Sequence, residues 1–99
     1  MSRSVRVLSR AQRDLQQIYD YVLREAPGRA GPFIDKLLVA IESLRSMADR
    51  GAMPRDATLR DQGYRFLVNG SYLIFYKVLS HQVRIYRVLR ASRAYRSLL

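Results

Sequence analysis

Cysteine is absent from the chain, and its absence removes disulfide staples, thiolate nucleophiles and cysteine-bound zinc in one step, compatibly with a reducing compartment. Histidine occurs once, as His81, and the 8 acidic residues show no metal-ligand clustering. Glycine-rich phosphate cradles and Ser/His/Asp arrangements are missing too, so neither cofactor nor metal is expected. No apolar stretch approaches the roughly 18 residues needed to cross a bilayer, and the N-terminus lacks the basic-then-apolar layout of a secretion signal. The expectation is a soluble cytoplasmic protein with no membrane association.

Acid is scarce relative to base. The 18 Lys+Arg against 8 Asp+Glu give a formal charge of +10 on 99 residues, a field that attracts a polyanion or an acidic protein. Only Lys36 and Lys77 are lysines, so the remaining sixteen of the 18 basic residues are arginine. Arginine offers a planar fork suited to carboxylates and phosphates, although a GC-rich genome also enriches it. Hydrophobic residues make up 48% of the sequence and are spread along it, which allows one packed domain over residues 1–99 without staples.

Val5 to Leu8 is a short apolar run suited to one strand. Ser9 has the chemistry of a helix N-cap, with Gln12 completing a capping box. Ala11, Leu15, Ile18 and Val22 then recur at helical spacing beside Tyr19, predicting a helix from about Arg10 to Glu25. The stretch Ala26 to Pro32, with two prolines and two glycines, reads as a tight connection between antiparallel helices. Phe33, Leu37, Ile41 and Leu44 resume the spacing, joined by Ile34, Leu38 and Met47, in a second helix ending near Asp49. From Arg50 to Gln62 the pattern is that of a loop.

Asn69-Gly70 lies between two apolar runs and is the preferred pair for a type I′ hairpin turn. A further strand over Gln82 to Leu89, joined through Ser80-His81, extends the hairpin into an antiparallel meander, and residues 92–99 have room for a short helix. Strict alternation in the last strand puts Val83, Ile85, Arg87 and Leu89 on one face and Arg84, Tyr86, Val88 and Arg90 on the other. The second set suits an anionic partner; an idle, solvated face is the plainer alternative. His81 reads as a turn residue, Tyr95 as an anchor for the C-terminal segment, and Arg10 with Asp14 as a helical i,i+4 pair.

Taken in order, Asp14-Leu15 with Ile18 and Tyr21, "GYR" at Gly63 to Arg65, "YLIFYKV" at Tyr72 to Val78 and "IYRVLR" at Ile85 to Arg90 resemble the ParE branch of the RelE/ParE toxin superfamily. The resemblance covers nearly the whole chain. It implies an α+β fold, with a two-helix antiparallel hairpin packed on a small antiparallel sheet in the order β-α-α-β-β-β. It also implies the toxin of a bacterial type II toxin–antitoxin system, neutralised by a cognate antitoxin that is ParD-like or otherwise acidic and meeting operator DNA only through that complex. Characterised ParE-like toxins poison DNA gyrase, whereas RelE-like ones cut mRNA in the ribosome. Metal-free RNA cleavage needs a base, an acid and cations for the phosphorane charge, and arginine readily supplies only the last. Arg90 stands about where several relatives of both branches have histidine. Gyrase is therefore the expected target, met through Arg87, Arg90 and Arg93 at the end of the last strand, while the face of Arg84, Tyr86, Val88 and Arg90 is expected to be covered by the antitoxin. The alternatives are a ribosome-dependent endonuclease using Arg65, Arg87, Arg90 and Tyr95, and a non-enzymatic nucleic-acid-binding operon regulator acting with its antitoxin.

Overall fold

A computed structural model describes residues 2–92 and 95–99. Strand β1 (Ser4–Val7) leads directly into helix α1 (Ser9–Glu25), and a 3₁₀ turn at Pro27–Arg29 joins it to α2 (Ala30–Ser43). A second 3₁₀ turn (Ala48–Arg50) and the short α3 (Ala57–Asp61) precede strands β2 (Tyr64–Asn69), β3 (Tyr72–Val78) and β4 (Gln82–Arg90), and a 3₁₀ turn (Tyr95–Leu98) closes the chain. No helix among the described residues is long and apolar enough to cross a membrane.

Helix α1 contains no glycine or proline and ends where Ala26-Pro27 removes the next backbone donor. The expected capping box does not form. Leu8 holds the cap position without a side-chain bond, Ser9 is already helical, and the Gln12 side chain donates back to the Val7 carbonyl at 2.9 Å. Helix α2 begins earlier than its apolar pattern suggests, because Gly31 and Pro32 sit in its first turn, where a missing N–H costs nothing. It also stops at Ser43, short of Asp49. There the chain tightens, with the Leu44 N–H bonding the Ile41 carbonyl at 3.1 Å, and Leu44 and Ala48 both turn into the core. Leu38 and Met47, counted with the apolar face from spacing, are exposed. The stretch read as loop from Arg50 to Gln62 contains α3, whose first turn is capped by the Asp56 carboxylate accepting from the Leu59 N–H at 3.0 Å.

The four strands lie in the order β1-β4-β3-β2, with β3 antiparallel to both its neighbours. The sheet is mixed rather than wholly antiparallel, since β1 runs parallel to β4 from Ser4↔Gln82 to Val7↔Ile85. Every residue from Tyr72 to Tyr76 is buried, because the sheet is covered on both sides. The two helices pack Ile18, Leu37, Ile41 and Leu44 on Ile74, Tyr76, Val83, Ile85 and Val88. On the other side α3 and the C-terminal turn place Leu59, Tyr95 and Leu98 over Leu73, Phe75 and Leu89. The face expected to be open is thus partly closed.

Two tight features fix the sheet's ends. The hairpin loop is Gly70-Ser71, because Asn69 pairs with Tyr72. Only Gly70 has positive φ, at 58°, which makes this a type II′ turn and not the expected type I′ turn on Asn69-Gly70. At the opposite end the fully buried Tyr76 hydroxyl donates to the Ala48 carbonyl at 2.8 Å and accepts from the Gly51 N–H at 3.0 Å. A Cβ on Gly51 would collide with that hydroxyl and lie 2.8 Å from the Phe66 carbonyl oxygen.

Gly70→Val is expected to destabilise the domain by roughly 1–3 kcal/mol, because a β-branched residue resists positive φ, while Asn69→Ala costs clearly less. Urea unfolding of the two variants checks this, and equal losses would restore the type I′ assignment. Burial raises the Tyr76 phenol above its ordinary 10.0, outweighing the Gly51 hydrogen bond that lowers it. The raised folded-state value means that this contribution to stability is whole below pH 10 and is lost as pH climbs through the folded value. Alkaline titration should therefore show unfolding together with late tyrosinate absorbance, and Tyr76→Phe should flatten stability across that range.

Candidate functional site

Asp14 occupies the apolar face of α1, flanked by Ala11 and Ile18, and is 4% exposed. A lone carboxylate there would cost several kcal/mol. Its partner is Arg87 of β4, 7% exposed, whose Nε and Nη2 donate to the two carboxylate oxygens at 2.7 and 3.1 Å. The same carboxylate accepts from the Val88 N–H at 3.0 Å, and Arg87 Nη1 donates to the Leu98 carbonyl at 2.8 Å. One bidentate pair thus ties the first helix, the last strand and the C-terminal turn. Asp14 therefore answers to Arg87 across the fold, and not to Arg10 along its own helix.

The register shows why alternation misassigned this strand. Phe75 pairs with Arg87 and Tyr76 with Ile85, so Tyr86 is an extra residue and β4 carries a bulge. Beyond it the faces exchange. Val88 packs with Val83 and Ile85 against the helices, and Leu89 joins Tyr86 on the other side. The proposed set Arg84, Tyr86, Val88 and Arg90 consequently does not share one face. Tyr86 packs on the outer side at 5.3 Å from the Tyr64 ring, with Lys77 over both rings at 4.4 and 4.9 Å; Arg84, paired with Lys77, bonds Gln82 Oε1 at 2.7 Å. Val88 is buried. Arg90 lies on the helix side, its guanidinium 5.8 Å from the Tyr21 ring and 5.9 Å from the Tyr72 ring. Arg93 lies outside the described residues.

The residues named for RNA cleavage are similarly dispersed. Arg65 donates to the Gly51 carbonyl at 3.0 Å and the Asp49 carbonyl at 3.4 Å, bracing the loop that Tyr76 anchors. Tyr95 stacks at 4.9 Å on Phe75, on the opposite side of the sheet from Arg90. His81 sits in the β3–β4 connection, and its carbonyl accepts the Ser4 N–H at 3.1 Å. Among the described residues no group of three His, Cys, Asp or Glu is placed to hold a metal ion.

What the structure assembles instead is a cleft between α1 and the end of β4. It holds about 370 Å³ and is lined by Asp14, Gln17, Ile18, Tyr21, Tyr72, Val88, Leu89 and Arg90. Hydrogen bonding to the Tyr72 side chain, reinforced by the charge interaction with it, holds the Arg90 guanidinium above its ordinary value. Sequence reasoning missed Gln17 and the α1 wall. The available signal was Tyr21, a large aromatic one turn beyond Ile18 and Gln17.

A layer of helices over a small mixed sheet with this strand order defines the class. The fold matches a chain of the chromosomal ParDE toxin–antitoxin system of P. aeruginosa with a TM-score of 0.76 and 22% identity, covering 90% of this chain and 96% of that one. It also matches a chain of the toxin–antitoxin complex RelBE2 from Mycobacterium tuberculosis with a TM-score of 0.60 and 22% identity, covering 91% and 99%. None of the curated proteins matches the sequence significantly. The model of the ParE toxin of type II toxin–antitoxin systems matches residues 5–95, and the chain belongs to that family.

Asp14→Ala should destabilise the protein by roughly 3–5 kcal/mol, since it strands a buried guanidinium, whereas Asp14→Leu combined with Arg87→Met should recover most of the loss. Thermal unfolding of the three proteins separates these outcomes. A double variant no better than the single one would mean that packing, not the unpaired charge, sets the cost.

Proposed function

We propose that this toxin acts by binding DNA gyrase and trapping it on cleaved DNA in the cytoplasm, and that a cognate acidic antitoxin, ParD-like in character, neutralises it. Operator DNA is met through the toxin–antitoxin complex. The observation that carries a binding mode of action is the dispersal of the groups an RNA-cutting centre would need. Arg87 is spent on Asp14, Arg65 on loop carbonyls, and Tyr95 on Phe75. Arg90 stands at one end of the nine-residue β4 and His81 just before the other, roughly 25 Å of extended strand apart. General acid–base catalysis needs its groups within hydrogen-bond reach of one substrate. Membership of the ParE family supports the same reading, and the net charge of +10 suits an acidic antitoxin that associates quickly at low salt.

The test is a paired assay of antitoxin-free protein, one arm following supercoiling and cleavage-complex formation by purified gyrase, the other primer extension on mRNA in translating ribosomes. Inhibited supercoiling with intact mRNA is expected. Codon-periodic cuts with normal supercoiling would replace the gyrase reading with the endonuclease one.

A further inference from the structure

The cleft between α1 and the end of β4 has a chemistry of its own. Strand β1 stops opposite Ile85, so β4 continues past its neighbour and α1 forms the facing wall. Asp14 lines this cleft, yet its two oxygens are engaged by Arg87 and the Val88 N–H, so its charge is already matched from within. The cation facing outward is Arg90. It is exposed and stands between the rings of the 45% exposed Tyr21 and the buried Tyr72, whose faces attract its charge and limit its movement. Below lie Ile18 and Val88, and Gln17 adds an amide that both donates and accepts.

From this arrangement we infer that the cleft receives an acidic peptide segment, one apolar side chain seated on Ile18 and Val88 and a neighbouring carboxylate paired with Arg90. Gln17 serves the peptide backbone. A nucleic-acid strand fits less well, because a phosphate backbone calls for a row of cations, whereas among the described residues Arg90 is the one arginine that lines this cleft. Charge complementarity supplies the remaining argument: a chain of +10 presenting an aromatic-framed arginine selects an acidic partner. The inference rests on the proposed acidic antitoxin for its biological occupant and adds where and by which groups that segment is gripped.

The experiment titrates the full chain with a fluorescent, terminally blocked peptide of alternating leucine and glutamate, and separately with a single-stranded oligonucleotide of equal charge. Arg90→Gln should weaken peptide binding about tenfold or more, and Arg55→Gln, which removes the same charge from an exposed loop, less than about twofold. Amide shifts on binding should map to Gln17, Ile18, Tyr21 and Val88. Absence of peptide binding, equal effects of the two variants, or an Arg90-dependent preference for the oligonucleotide would overturn the inference. The same variants are then challenged with the product of the adjacent gene. If that product neutralises wild type and Arg90→Gln equally, the cleft proposal falls while the toxin–antitoxin reading stands. If no neighbouring product neutralises the protein but the peptide result holds, the antitoxin reading fails and the cleft remains a site for acidic peptides.

Discussion

The fold depends on one buried ion pair. Removing Asp14 and Arg87 from water costs several kcal/mol per charge, and a lone contact between them would not offset it. The structure meets the cost by satisfying both groups fully: two guanidinium–carboxylate bonds, a backbone N–H on the carboxylate, and a carbonyl on the third nitrogen. No buried side-chain polar atom among the described residues is left without a partner. The pair joins residues 73 positions apart and fastens the C-terminal turn as well, so the start, end and tail of the chain share a single knot.

That knot lies beside the bulge in β4, and the two explain each other. Past the end of β1 the Val88 N–H has no strand to donate to, and Asp14 supplies the acceptor that a longer neighbouring strand would have provided. The extra residue at Tyr86 then shifts every later side chain to the other face. Arg87 is drawn into the protein and Arg90 moves to the helix side between two tyrosines, while Arg84 stays on the outer side. Three arginines that look equivalent in sequence thereby acquire three distinct environments. One is buried in the ion pair, one bonds Gln82 on the outer side, and one is exposed beside the helices.

Much of the architecture was legible because it rests on periodicity. Ala11, Ile18, Leu37, Ile41 and Leu44 lie on the core as their spacing implies, and the apolar run at Tyr72 to Tyr76 is the central strand. The order of elements also carried the family resemblance that the comparisons bear out. What escaped were features set by tertiary pairing. The parallel docking of β1 needs a partner 78 residues away, and the turn type at Gly70 depends on which residues close the ladder. The contact face failed for a definite reason: alternation assumes a regular ladder, and one bulge inverts it. A clue was present in the sequence. Asp14 falls on the apolar stripe of its helix, where a carboxylate needs a cation from elsewhere in the fold.

Asp14 takes the place of a strand at the bulge and so fixes the environments of Arg87 and Arg90. Native-state hydrogen exchange at the Val88 amide measures this directly, because that N–H is bonded to a buried carboxylate and not to a neighbouring strand. Protection comparable to that of the central β3 amides is expected, released only with global unfolding. Exchange at the rate of a surface loop would show that the bond does not persist in solution, and the assignment of Arg87 to the fold and of Arg90 to the cleft would lose its foundation.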